Sequence, residues 1–290
     1  MVSPASFYKI AGGIGVRHAR IIYHWVMATP QQFLTRVGSS TLGWLQAWGR
    51  VLGFGARVLV ETFTPAVYNS ASRSVVLKQI YFTAWQILPG FLLFAALLSY
   101  VIIQIVVTTA RNYGLSDFAL EVSVRVVVLE TLPLLTALFI ALRSGAAINT
   151  EVALMNINNE IRALEDAGVD PMRFEFIPRV IGGAISVYTL TLLSCILALI
   201  LAYVAVYGLQ PWSLPDFSRV IARIFTPTAF LTLTLKSLLF GLAVTLIPIR
   251  AGLEAPRMMF FAPIAVLRGM VRLFFVIMFI EVASLALVYM

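Results

Sequence analysis

Long apolar runs separated by short polar segments dominate the chain. Crossing a hydrocarbon core takes about 20 apolar residues at about 1.5 Å of helical rise each. About five stretches meet that length, roughly 80–108, 119–147, 179–207, 224–249 and 264–288. The pattern therefore predicts an all-α membrane protein with five transmembrane helices. Residues 1–37 are mixed, with Pro4 and Pro30 as breakers, and give no clear period. In 38–63, Trp44, Trp48 and Leu52 recur at i, i+4, i+8, while Gln46, Arg50, Arg57 and Glu61 fall largely on the other side. That division suits a helix lying in the headgroup plane, or else a short helix packed against the bundle. The reading divides the chain into an N-terminal cytoplasmic or interfacial helical segment, 1–75, and a five-span domain, 76–290.

Composition strengthens the membrane assignment. Apolar residues make up 60% and charged residues 12% of the 290, about half the charge of an ordinary soluble domain. So little polar surface cannot cover a water-facing globule of this size. The net charge of +8 resides mostly in arginine. The basic residues sit in short segments between apolar runs, where topology and anionic headgroups account for them better than nucleic acid does. Segments 1–78, 143–179 and 250–272 hold most of them, and the connections near 109–118 and 208–223 hold few. By that asymmetry the N-terminus is cytoplasmic, and five crossings put the C-terminus on the far side.

The densest mixed charge lies in 143–180, RSGAAINTEVALMNINNEIRALEDAGVDPMRFEFIPRV. Asn149 or Thr150 is placed to cap a helix with Glu151 in its first turn. Ile157, Ile161 and Leu164 form an apolar ridge at i, i+4, i+7. Gly168 suits a left-handed C-terminal cap, and Pro171 a stop. The result is a short amphipathic helix over about 150–170 between two spans. It can dock in a partner's groove or fold back on the membrane surface.

This stretch resembles the signature of the MlaE/YrbE permease family, approximately R-x-G-x-x-x-x-x-E-x-x-x-M, then T-E-Q-I-x-A-L, then D-P and P-R. Arg143, Gly145, Glu151 and Met155 match, as do Ile161, Ala163 and Leu164, then Asp170-Pro171 and Pro178-Arg179, all in register. Upstream, Glu130 and Pro133 are similar to the family's R-E-x-x-P, and Lys236-Ser237 to a Lys-Ser pair in the fourth span. Leu129 stands where the family has arginine, and Asn158-Asn159-Glu160 replace T-E-Q. The family's glycine-rich G-V-G-x-A-T-T stretch before the last span is not recognisable here.

The resemblance implies a homodimer similar in fold to type G ABC exporters, in a bacterial inner membrane, with an interfacial helix before five spans. It implies a cytoplasmic ATPase pair gripping the connection between spans two and three. It also implies an Mce-domain protein on the periplasmic side and phospholipid as cargo. On this reading Arg143, Glu151, Asn158, Glu160, Ile161, Leu164, Asp170, Pro171 and Arg179 serve ATPase coupling. Glu130, Lys236 and Gln104 are the polar residues of the lipid cavity.

An ionisable group near mid-bilayer costs about 2.5–3.5 kcal/mol on insertion scales, so Glu130 and Lys236 are expected to meet a partner or water. Opposite charges at similar depth can pair or line a polar cavity. Glu281, in the last span, has no obvious cation near it in the sequence. No P-loop is present, because Tyr8, Leu77 and Leu235 precede the three lysines. Energy must then come from another subunit, and no nucleophile–base set suggests an enzyme. The lone Cys195 reads as a space-filler in a helix, and two histidines offer no metal spacing. No cofactor is assigned.

Two alternatives use other features. LEDAGVDPMRFEFIP is loosely similar to the E-A-A-x-x-x-G docking loop of small-solute ABC importers. An ion-coupled secondary carrier would show inverted repeats, and the two halves show no convincing one.

Overall fold

The computed structural model describes residues 48–62, 64, 70–256 and 262–289. The chain divides into two units, Met1–Gly53 and Phe54–Met290. Of the first, only the helical residues 48–53 are described, so the readings on 1–47, Trp44 and Gln46 among them, lie outside the described residues.

The second unit contains five helices long and apolar enough to cross a membrane: Ser72–Asn112, Phe118–Ile157, Met172–Tyr207, Pro227–Leu253 and Val266–Val288. No strand occurs among the described residues. In lipid this follows from hydrogen bonding, since a helix satisfies its own backbone where no water can. The first three helices extend well past the apolar runs, the first at its start, the second at its end and the third at its start, so these ends carry polar residues on helical backbone. Leu97, Ile196 and Phe279 remain exposed on the outer faces, as expected of side chains whose solvent is lipid.

The third and fourth spans form the centre. The third packs on the first and the fourth, and the fourth packs on the fifth and the end of the second. Glycines bring these backbones together, as small residues do between membrane helices. A Cβ on Gly241 would lie 2.6 Å from Ala184 Cα, and one on Gly183 would collide with Thr245 Cγ2. A Cβ on Gly182 would lie 3.0 Å from the Val76 carbonyl oxygen. The adjacent glycines thus serve two neighbours, Gly182 the first span and Gly183 the fourth.

Four wide π-helical turns interrupt the spans: Tyr81–Trp85, Val124–Thr131, Ala141–Gly145 and Met172–Phe176. Three precede a proline, Pro89, Pro133 and Pro178. Proline lacks the N–H that would bond the carbonyl four residues back, and its ring crowds that carbonyl. A wider turn relieves the crowding. After Val124–Thr131, Leu132 bonds back to Val127 five residues earlier, so Pro133 leaves the next carbonyl, Val128, without its helical donor. The Cys195 thiol donates to that oxygen at 3.3 Å. Cys195 is buried, as the sequence suggested, and it also completes a neighbouring helix's hydrogen bonding.

Residues 54–62 are helical, with Phe54 and Val58 buried in a cluster with Ile148, Val152, Phe176, Ile177 and Ile249. Leu59 and Val60 stay exposed. Packing on the bundle and a free apolar face therefore coexist in this stretch.

Candidate functional site

Three ionisable side chains meet inside the membrane region. Lys236 Nζ lies 2.5 Å from Glu130 Oε2 and 2.8 Å from Glu281 Oε2. The lysine side chain is 2% exposed, and the glutamates are 17% and 8% exposed. The three sit ~7–12 residues from the span ends at Phe118, Pro227 and Val288, roughly 10–18 Å deep by helical rise. Similar depth lets them converge, and the cluster ties the second, fourth and fifth spans together. Of the two outcomes left open for Glu130 and Lys236, pairing or lining a polar cavity, the two side chains pair. Glu281 joins it, correcting the reading that left it without a cation; its partner lies on another span and is invisible to local spacing. The π turn Val124–Thr131 carries Glu130, so its direction departs from the regular helical period. Gln104 is half-buried on the first span and makes no hydrogen bond to this cluster.

A second cluster lies where the ends of the second and third spans approach. Arg179 donates to both oxygens of Glu151, at 2.8 and 2.9 Å, and through Nε to Glu175 at 2.8 Å. Arg179 is buried, and the two carboxylates satisfy its planar fork. Arg143 and Glu151 line one cavity with it, consistent with their expected common face. Of the residues assigned to coupling, Arg143, Glu151 and Arg179 therefore gather here, away from the exposed link. Glu175 was not anticipated.

The link itself differs from the expected 150–170 helix. The second span continues unbroken to Ile157, so Asn149 and Thr150 cap nothing and Glu151 is mid-helix. Asn149 is buried instead and donates to the Val266 carbonyl at 3.4 Å. The break comes at Asn158-Asn159, where Asn159 adopts φ 59, a left-handed conformation that asparagine tolerates. A two-turn helix follows, Glu160–Asp166. It ends as read, with Gly168 at φ 76 and Val169 N–H bonding the Leu164 carbonyl at 2.9 Å. The Asp170 carboxylate accepts from Met172 N–H at 2.9 Å, and Pro171 stands directly before the wide turn that opens the third span.

The apolar ridge is corrected as well. Ile157 belongs to the second span, and Ile161 packs back on the protein's own core cluster. Packing Ile161 against that cluster removes its apolar surface from water. Its outward surface is polar: Asn158, Glu160, Arg162, Glu165 and Asp166 are exposed, while Leu164 is half-buried.

A bundle of spans with charged groups buried at depth, joined by a short helix outside the apolar zone, has the architecture of a membrane transport subunit. The family model for Permease MlaE matches residues 76–287, and the chain belongs to that family. A "Probable ABC transporter permease protein" of Rickettsia felis is 28% identical over 68% of this chain and 70% of its own length. One from Rickettsia conorii is 26% identical over 74% and 82%. The "Intermembrane phospholipid transport system permease protein MlaE" of Haemophilus influenzae is 36% identical over a shorter stretch, 33% of this chain and 39% of that protein. The chain is thus a multi-pass ABC transporter permease, which works with an ATPase partner.

Proposed function

We propose that this permease moves phospholipid between the inner and outer membranes of a bacterial envelope, as a dimer in the inner membrane with its N-terminus cytoplasmic. Its ATPase docks on the link between the second and third spans, and an Mce-domain protein receives or delivers lipid on the periplasmic side. The observation that carries the reading is the exposed helix Glu160–Asp166, hung by short connections between two long spans. A push on so short a link passes into both spans, because neither connection has slack to absorb it. The phospholipid assignment draws on the name of the Haemophilus relative and on the matched Glu130, Pro133 and Lys236-Ser237 positions. In this reading Glu130 and Lys236 border the lipid cavity between the two copies.

Affinity capture of the tagged chain from its own membranes, with mass spectrometry of proteins and lipids, tests the proposal. An ABC ATPase and a diacyl phospholipid are expected to co-purify. A small polar solute in place of the lipid would return the chain to the solute-importer class. Replacing Arg162, Glu165 and Asp166 together by alanine should cut ATPase recovery at least tenfold without changing membrane insertion. Undiminished recovery would remove the link from the docking surface.

A further inference from the structure

A cavity of about 570 Å³ opens among the ends of the first three spans, on the side of the exposed link. Three cations line it, Lys78, Arg143 and Arg179, against two carboxylates, Glu151 and Glu175. Both carboxylates are held by Arg179. Lys78 and Arg143 have no ion-pair or hydrogen-bond partner among the described residues. Three positive groups against two negative ones leave one uncompensated positive charge in a partly enclosed space whose wall also carries apolar side chains, Val75, Phe82 and Ile148 among them. Gln86 and Ser144 add neutral donors to the same wall.

The location narrows the choice of anion. Lys78 and Arg143 stand where the apolar runs of the first two spans give way to polar sequence, the depth of lipid headgroups. Phe82 lines the cavity and is 57% exposed, and Tyr81 and Trp85 in the same wide turn are exposed on the first span. Aromatic side chains at that level mark the membrane interface. A soluble anion would gain nothing from such a mouth, whereas a lipid can place its headgroup inside and its chains along the exposed first span.

We propose that this cavity binds the phosphate diester of a membrane phospholipid, with Lys78 and Arg143 as its charged ligands. The single negative charge of a diester matches the single uncompensated positive charge of the wall. The site depends on the function proposed above only for which leaflet it samples.

The test uses the full chain purified in detergent and native mass spectrometry. Phosphatidylglycerol is compared with diacylglycerol carrying the same acyl chains, with millimolar inorganic phosphate as competitor. Phosphatidylglycerol should be retained and diacylglycerol lost. Lys78→Gln and Arg143→Gln should each weaken retention roughly fivefold, and the double substitution about 30-fold, from the usual contribution of a basic group near the membrane surface. The charge-preserving pair Lys78→Arg with Arg143→Lys should retain the lipid, which covers the case in which the glutamine variants misfold. Equal retention of diacylglycerol, undiminished binding in a folded double glutamine variant, or loss of lipid from the charge-preserving one would overturn the proposal. Displacement by inorganic phosphate would overturn the lipid assignment in favour of a soluble anion. None of these outcomes depends on ATPase capture, so the two readings fail separately.

Discussion

Lys236 shows what a single buried cation does when two carboxylates depend on it. Removing one member of a buried ionic group typically costs about 3–5 kcal/mol, because the remaining charges stay desolvated without compensation. Lys236→Met should therefore lower the thermal midpoint of the purified protein sharply. Adding Glu130→Gln and Glu281→Gln should recover most of the loss, since a neutral set has no desolvated charge to compensate. If the triple variant melts no higher than the single one, the cluster is not acting as an ionic unit. A simple exchange of the charges at 130 and 236 should recover little, because Glu281 would keep no cation at the central position. Cys195 makes a smaller test. Cys195→Val should destabilise by about 1 kcal/mol by orphaning the Val128 carbonyl, and Cys195→Ser should be close to neutral. Equal melting of the two variants would mean that the thiol only fills space.

Between elements, the controlling feature is how closely the third and fourth spans approach. Gly241 meets backbone at Ala184, which cannot rotate away, whereas Gly55 would meet only the end of Leu246 at 3.5 Å. Gly241→Val should cost about 1–3 kcal/mol by overpacking, while Gly55→Ala should be nearly silent; comparison of the two unfolding curves in detergent checks the contrast. The wide turns belong to this scale too. Sequence periodicity at 3.6 residues places the spans within a few residues, yet it fails locally where Pro89, Pro133 and Pro178 force five-residue bonding. Those turns contain or adjoin Glu130, Phe82 and Glu175, which is why the directions of these side chains could not be read from a helical wheel. The link failed for a related reason. Asn149-Thr150 look like a cap, but the second span's packing carried the helix through them, and Asn158-Asn159 supplied the stop.

For the whole molecule, five crossings put residues 72 and 288 on opposite sides of the membrane, and the basic ends of the first three spans share one side. Deleting 158–164 should leave insertion intact, as the spans form their own hydrogen bonds, while abolishing ATPase co-purification. Retained association in a correctly inserted protein would move the docking surface elsewhere on that face.

Fold class, span number and the exposed link were legible in the linear pattern, because lipid imposes a local rule: a helix of sufficient apolar length satisfies its own backbone without help from distant residues. The in-register matches from Arg143 to Arg179 were legible for the same reason, as spacing along one chain segment. Glu281 on Lys236, Glu175 and Glu151 on Arg179, and the unpaired Lys78 and Arg143 facing one cavity came from packing. Each depends on which faces of separate helices meet, and that choice is set by close-approach glycines and wide turns acting together across the bundle.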